Sequence, residues 1–200
     1  GQILIEDGLL TNSQFEELLA EYQASNEIDD LNVANEQNDM VEKLIHKFFH
    51  FDNSDMSGKI VAYLNLLFND IVRFIGKDFT PLNPLMKSEY MTNYCVTQKD
   101  EGLLSFNSGI DMSKSVAIAF ASRYAKEEFH EFDEYVKASI EDFLNLHNGL
   151  FNVNMSNEFS LELNLCPPEV HEEETLTNAT KIYVFPIIFP FGTIHFLMEI

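Results

Sequence analysis

The chain has 200 residues, 46% of them hydrophobic and 18 of them Phe, with no Trp. That is material for one packed domain of about 150 residues plus an extension. A formal net charge of −21 argues against DNA, RNA or an anionic membrane as partner, because each phosphate contact would work against repulsion. Cys95 and Cys166 both sit in apolar, strand-like runs and read as buried thiols of a reducing compartment. Neither a signal peptide nor a bilayer-spanning run is evident, so the expected location is the cytoplasm, where the sequons at Asn154 and Asn178 have no use.

Residues 1–24 read as two short helices. The first, QILIED, stops at Gly8, a natural C-terminal cap, and the second opens on Thr11 with Gln14 three later, a capping-box spacing. The chain opens without Met inside this unit, as expected of a piece of a longer protein. Residues 25–39 are polar, acidic and aperiodic, the composition of a linker. Residues 40–55 form a predicted connecting helix. His46 and His50 lie four apart on it and could share a metal, but no third ligand is near and packing is the plainer reading. DNSDMSG over 52–58 lacks the acidic spacing and closing glutamate of a calcium loop.

The main domain is expected over 56–200. A long apolar-faced helix over 59–75 ends at Gly76, and a Pro-containing crossing follows at 80–84. Strands are predicted at 90–97 and 103–107, joined by a turn over 99–102. Asp111 or Ser113 caps a helix over 115–126, and a longer helix spans 132–154. A strand over 158–165, the Pro167-Pro168 turn and an acidic loop over 171–174 precede a closing hairpin, 181–189 and 193–200. Pro186 and Pro190 put the first hairpin strand at a sheet edge or a bulge. The fold class is α+β, an antiparallel sheet covered on one face by long helices.

The helix over 132–154 carries the chemistry. At about 100° per residue, Phe132, Val136, Ile140, Phe143, Leu144, Leu150 and Phe151 share a core-facing side. Ala138, Asp142, Asn145, Gly149 and Asn152 fall opposite, with Glu141 and Asn148 at the edge. A carboxylate and a carboxamide three apart are neighbours on a helix. Gly inside a helix costs roughly 1 kcal/mol relative to Ala, so Gly149 is either tolerated or a place of close approach. This face reads either as a solvated surface of an Asn-rich segment or as a docking face. In the second reading Asp142 pairs with a partner's cation, and Asn145, donor and acceptor both, orients a reacting water.

The element order and this face resemble the CheX-type chemotaxis phosphatases, relatives of CheC and FliY, over about residues 57–200. The likeness rests on Asp133-Glu134 leading to Asp142-Phe-Leu-Asn145, then Gly149, then a strand ending in Cys166-Pro167-Pro168, and on the strand around Gly102 and the terminal hairpin. Asn65 on the first long helix has no acid three before it, so one site per subunit is expected, the CheX pattern. The resemblance implies removal of phosphate from the phospho-aspartate of a CheY-like receiver, with Mg²⁺ and Lys supplied by the receiver and no cofactor or metal held by this chain. Asn145 would orient the water and Asp142 would dock to the receiver's Lys. Ala138, Glu141, Asn148 and Gly149 would border the contact, and a homodimer is expected. The family has Glu where position 142 is Asp, one methylene shorter, and Glu141 is an alternative carboxylate. A receiver-binding or dimerisation module without catalysis is the other reading. Gly1, Leu4, Gly8, Phe15 and Leu19 are similar to the N-terminal helical module of type II secretion and pilus-assembly ATPases, some of which bind cyclic di-GMP. The leading Arg of that module is missing and Tyr22 stands where Gln is usual, so a nucleotide is not expected there.

Overall fold

The computed structural model describes residues 54–103 and 105–199. The expected helices over 1–24, the linker over 25–39 and the His46/His50 pair lie outside the described residues.

In chain order the elements are α1 (Ser54–Phe74), β1 (Thr80–Pro81), β2 (Leu85–Met91), β3 (Tyr94–Gly102), β4 (Phe106–Met112), α2 (Lys114–Ala125), α3 (Glu134–Phe159), β5 (Leu163–Leu165), β6 (Glu169–Glu172), β7 (Thr175–Phe189) and β8 (Gly192–Glu199). The sheet runs β1-β7-β8-β4-β3-β5, with β2 also on β7 and β6 also on β3. Every pairing is antiparallel. This is the α+β class the hydrophobic pattern implied. Residues 54–58, inside the acidic run compared with a calcium loop, belong to α1.

Period-2 alternation sorts the two sheet faces. Tyr94 meets Phe132, Phe106 meets Tyr63 and Phe151, and Phe196 meets Tyr63 and His147, so these residues face the helices. Gln98 and Asp100, two and four beyond Val96 on β3, lie on that same face. The reverse face holds its own apolar cluster of Tyr90, Cys95, Ile182, Val184 and Leu197. Burial pushes the Cys95 thiol well above its usual range, as a buried cysteine requires. Cys166 is only half-buried, so the expectation of two buried thiols holds for one of them.

Three local readings are corrected. β3 runs straight through the turn expected over 99–102, and the chain reverses after Gly102 instead, where φ is +149°. Half of the expected acidic loop is strand β6, paired with β3 from Tyr94 to Thr97. β7 is 15 residues long and lies between β8 and the β1/β2 edge, so the edge reading of Pro186 fails, while the bulge reading meets a register shift in β7 between Ile182 and Thr177, opposite Lys87 and Glu89. Its carbonyl accepts from the Leu82 amide in the gap between β1 and β2. The N–H that proline lacks would point to the same side, so the contact there is limited to that one bond.

α3 is 26 residues long, about 39 Å at 1.5 Å per residue. Its N-cap is Asp133, whose carboxylate accepts from the amides of Tyr135 and Val136. Its C-cap is Ser160 with φ +54°, whose amide reaches back to Met155 and Ser156. Ser113, not Asp111, caps α2; Asp111 is buried on the reverse face and accepts from Tyr90 and Asn93.

Candidate functional site: the outer face of α3

The buried stripe of α3 is Val136, Ile140, Phe143, Leu144, His147, Asn148, Phe151 and Met155. Steps of three and four join these positions, as a single helix face demands. Leu150, expected inside, is 38% exposed. Asn148, expected at the edge of the docking face, is fully buried and leaves the set of partner-facing residues. The physical reason is position. Asn148 is four after Leu144 and three before Phe151, in the middle of the apolar stripe, and the sheet beneath it offers polar partners.

On the opposite side Tyr135, Ala138, Asp142, Asn145 and Val153 are exposed, and Gly149 is half-buried. A Cβ built on Gly149 would meet nothing within 4 Å. Nothing in the packing of the described residues therefore requires glycine there. Asp142 and Asn145 come together as neighbours on one surface, about 4.5 Å apart along the axis by helical rise. Glu141 is half-buried on the flank toward β3, where its charge acts on Tyr94.

Each of the two central side chains is tethered, in opposite directions. The Tyr124 hydroxyl of α2 donates to Asp142 Oδ2 at 2.5 Å. Burial and then the Asp142 carboxylate raise the Tyr124 phenol above its usual range, so it stays a donor. Asn145 Oδ1 instead accepts from Gln98 Nε2 on β3 at 2.9 Å. Among the described residues nothing bonds the other Asp142 carboxylate oxygen or the Asn145 amide nitrogen. Two turns further along, Asn152 donates to Asp100 Oδ1 at 2.7 Å. Burial raises the Asp100 carboxyl and the Asn152 bond opposes the shift.

Gln98 and Tyr124 did not stand out in the sequence. The signal for Gln98 was present: it continues the Tyr94, Val96 alternation, but the run KDEG mimicked a turn and cut the strand short. Tyr124 carried no signal, since its meeting with Asp142 depends on how α2 packs on α3.

The described residues contain no group of three His, Cys, Asp or Glu placed to hold a metal. None of their helices is long and apolar enough to cross a membrane.

An antiparallel, curled sheet with helices on one side is the architecture of the CheX- and CheC-like chemotaxis proteins. The similarity is to CheX from Desulfovibrio desulfuricans, at 14% identity and TM-score 0.60 over 71% of this chain and 98% of that one. A CheC-like superfamily protein from Shewanella sp. PV-4 gives 16% identity and TM-score 0.61, over 73% and 97%. The CheX of a CheX-CheY-BeF3-Mg²⁺ complex from Borrelia burgdorferi gives 18% and 0.59, over 70% and 96%. At these identities the likeness is one of fold. No family model and no curated protein sequence matches the chain.

Proposed function

We propose that this domain docks a CheY-like receiver on the outer face of α3 and speeds hydrolysis of its aspartyl phosphate. The observation that carries this is the exposed pair Asp142 and Asn145, with Gly149 a turn away in space that this chain leaves open. An acyl phosphate has a good leaving group, so the remaining task is to hold a water in line with phosphorus, while the receiver's own Mg²⁺ and Lys balance the charge. Asn145 orients that water through its carboxamide and has no useful pKa as a base. Asp142 docks to the receiver lysine through the oxygen that Tyr124 leaves open. Ala138 and Gly149 let the two backbones approach. A receiver is a cytoplasmic partner, which is where this domain would work, as one half of a homodimer. That a fold neighbour was crystallised with CheY supports the choice of partner.

The test loads a receiver with acetyl phosphate and follows its dephosphorylation with and without the chain. The expected result is acceleration that Asn145→Ala reduces by about 100-fold or more while the fold is retained. Unchanged acceleration removes Asn145 from the mechanism.

One observation favours a second reading, a module that binds the receiver without catalysis. Asp142 is a methylene shorter than the family's glutamate and is already held by Tyr124. That reading expects binding without acceleration by the native chain, and acceleration gained in Asp142→Glu.

A further inference from the structure

Beneath Asn145 lies a chain of buried carboxamides and hydroxyls. Gln98 is 1% exposed, Asn148 0% and Ser108 1%. Gln98 Nε2 donates to the Cys166 backbone carbonyl at 2.9 Å and to Asn145 Oδ1 at 2.9 Å. Gln98 Oε1 accepts from Asn148 Nδ2 at 2.9 Å. Asn148 Oδ1 accepts from the Tyr63 hydroxyl at 2.5 Å, and its Nδ2 also donates to Ser108 at 3.0 Å.

The direction of this chain is not arbitrary. A backbone carbonyl only accepts, so the end of Gln98 that faces Cys166 has to be its –NH2. Cys166 is itself fixed, because its amide donates to the Lys99 carbonyl at 2.9 Å. The second hydrogen of that –NH2 points at Asn145, and an N–H there demands oxygen. Gln98 Oε1, turned the other way, demands the –NH2 of Asn148, and Asn148 then offers its oxygen to Tyr63. One carbonyl in the β5 end of the sheet thus sets the orientation of three side chains in succession. Buried networks of this kind hold one arrangement because every alternative leaves a donor facing a donor.

We infer that Gln98 is the positioning residue of the α3 site: it fixes the rotamer and the facing of the Asn145 carboxamide, so that a visitor meets the –NH2 group and the one remaining lone pair of Oδ1. The exposed end of Asn145 is a donor pair, suited to the oxygens of a phosphoryl group and to the lone pair of a water beside it. The effect on rate rests on the water-orienting role proposed above for Asn145; the orientation itself does not.

The experiment separates the two. Side-chain amide relaxation in the ¹⁵N-labelled full chain is expected to show Asn145 near the rigid limit, an order parameter of about 0.85, with exposed Asn69 and Asn157 below about 0.6. Gln98→Met, close in shape and without hydrogen bonds, should bring Asn145 down to their level while leaving the backbone spectrum intact. In the receiver assay the same variant should lose about 10- to 100-fold in turnover at saturation, with half-saturation changed less than about threefold. An Asn145 as mobile as Asn69 in the native chain overturns the proposal even if Gln98→Met does not fold. So does an unchanged order parameter or unchanged turnover in a folded variant, or a loss confined to half-saturation. If the native chain accelerates no receiver but the relaxation pattern is as stated, the phosphatase reading falls and the positioning role stands.

Discussion

α3 carries nearly the same chemistry on its two sides. Outside, an acid and an asparagine, Asp142 and Asn145, are each held by one neighbour, Tyr124 and Gln98. Inside, His147 and Asn148 meet Asp70 and Tyr63, His147 Nδ1 lying 2.8 Å from Asp70 Oδ2. The two pairs differ in their access to water. Buried groups depend on the protein for partners, so the inner pair is spent on fixing α1 and the sheet against α3, although His147 Nε2 meets no partner among the described residues. The outer groups can be satisfied by water, and each keeps an atom open. The outer pair gives folding one hydrogen bond each and keeps its remaining polar atoms for water or a visitor, which is what a site requires.

The largest expected effect breaks the inner side. Asn148→Ala strands Gln98 Oε1 in the core and leaves the Tyr63 hydroxyl with Ser108 alone, and should cost about 3 kcal/mol in urea unfolding. Asn145→Ala, a few residues earlier, removes one acceptor from the buried Gln98 amide, whose other hydrogen still meets Cys166, and should cost less, about 1 kcal/mol. Equal losses would dissolve the distinction between the two faces.

The second effect is on pH. Burial holds the His147 imidazole below its ordinary value of 6.5, with the Asp70 carboxylate pulling the other way. The unfolded chain therefore takes up this proton first. Stability should be complete above about pH 6.5 and fall as pH drops below it, by at most about 1.4 kcal/mol per proton per pH unit. Half-buried His195 is also lowered by burial, against the pull of Asp111, and adds to the same slope. His147→Gln should remove its share of the slope, read as urea midpoints at pH 7 and 5.5, and a slope unchanged by that substitution would contradict the assignment.

Gly149→Ala sharpens the outer side. With open space at the Cβ position, alanine should raise stability by about 0.5–1 kcal/mol. It should also weaken receiver binding, since the methyl stands where the partner approaches. A variant that is stabilised and binds as well as the native chain would leave Gly149 without a role.

The smallest effect expected is that of Tyr124→Phe. Loss of the hydroxyl frees Asp142 from its fixed rotamer and should raise the half-saturating receiver concentration about threefold, a fraction of what a charged hydrogen bond can contribute, with turnover unchanged. Tighter binding would instead mark Tyr124 as a competitor of the receiver lysine.

Periodicity alone was enough to find α3, to place Val136, Ile140, Phe143, Leu144 and Phe151 inside, and to put Asp142 beside Asn145. Those follow from a 3.6-residue repeat, which is local geometry. Apolar strand runs and the order of elements were likewise enough for the α+β class. The fate of Asn148 was not local. A carboxamide in an apolar stripe is ruinous or structural according to what lies across from it, and Gln98 and Ser108 come from strands 50 and 40 residues away. The edge reading of Pro186 failed for a similar reason, because the strands that cover β7 on that side, β1 and β2, lie about 100 residues earlier in the chain. Helical periodicity placed most of the apolar stripe and the Asp142–Asn145 pair, though not Leu150 or Asn148. Only the tertiary structure decided which polar groups found partners, because hydrogen bonds between distant strands and helices leave no period in the chain.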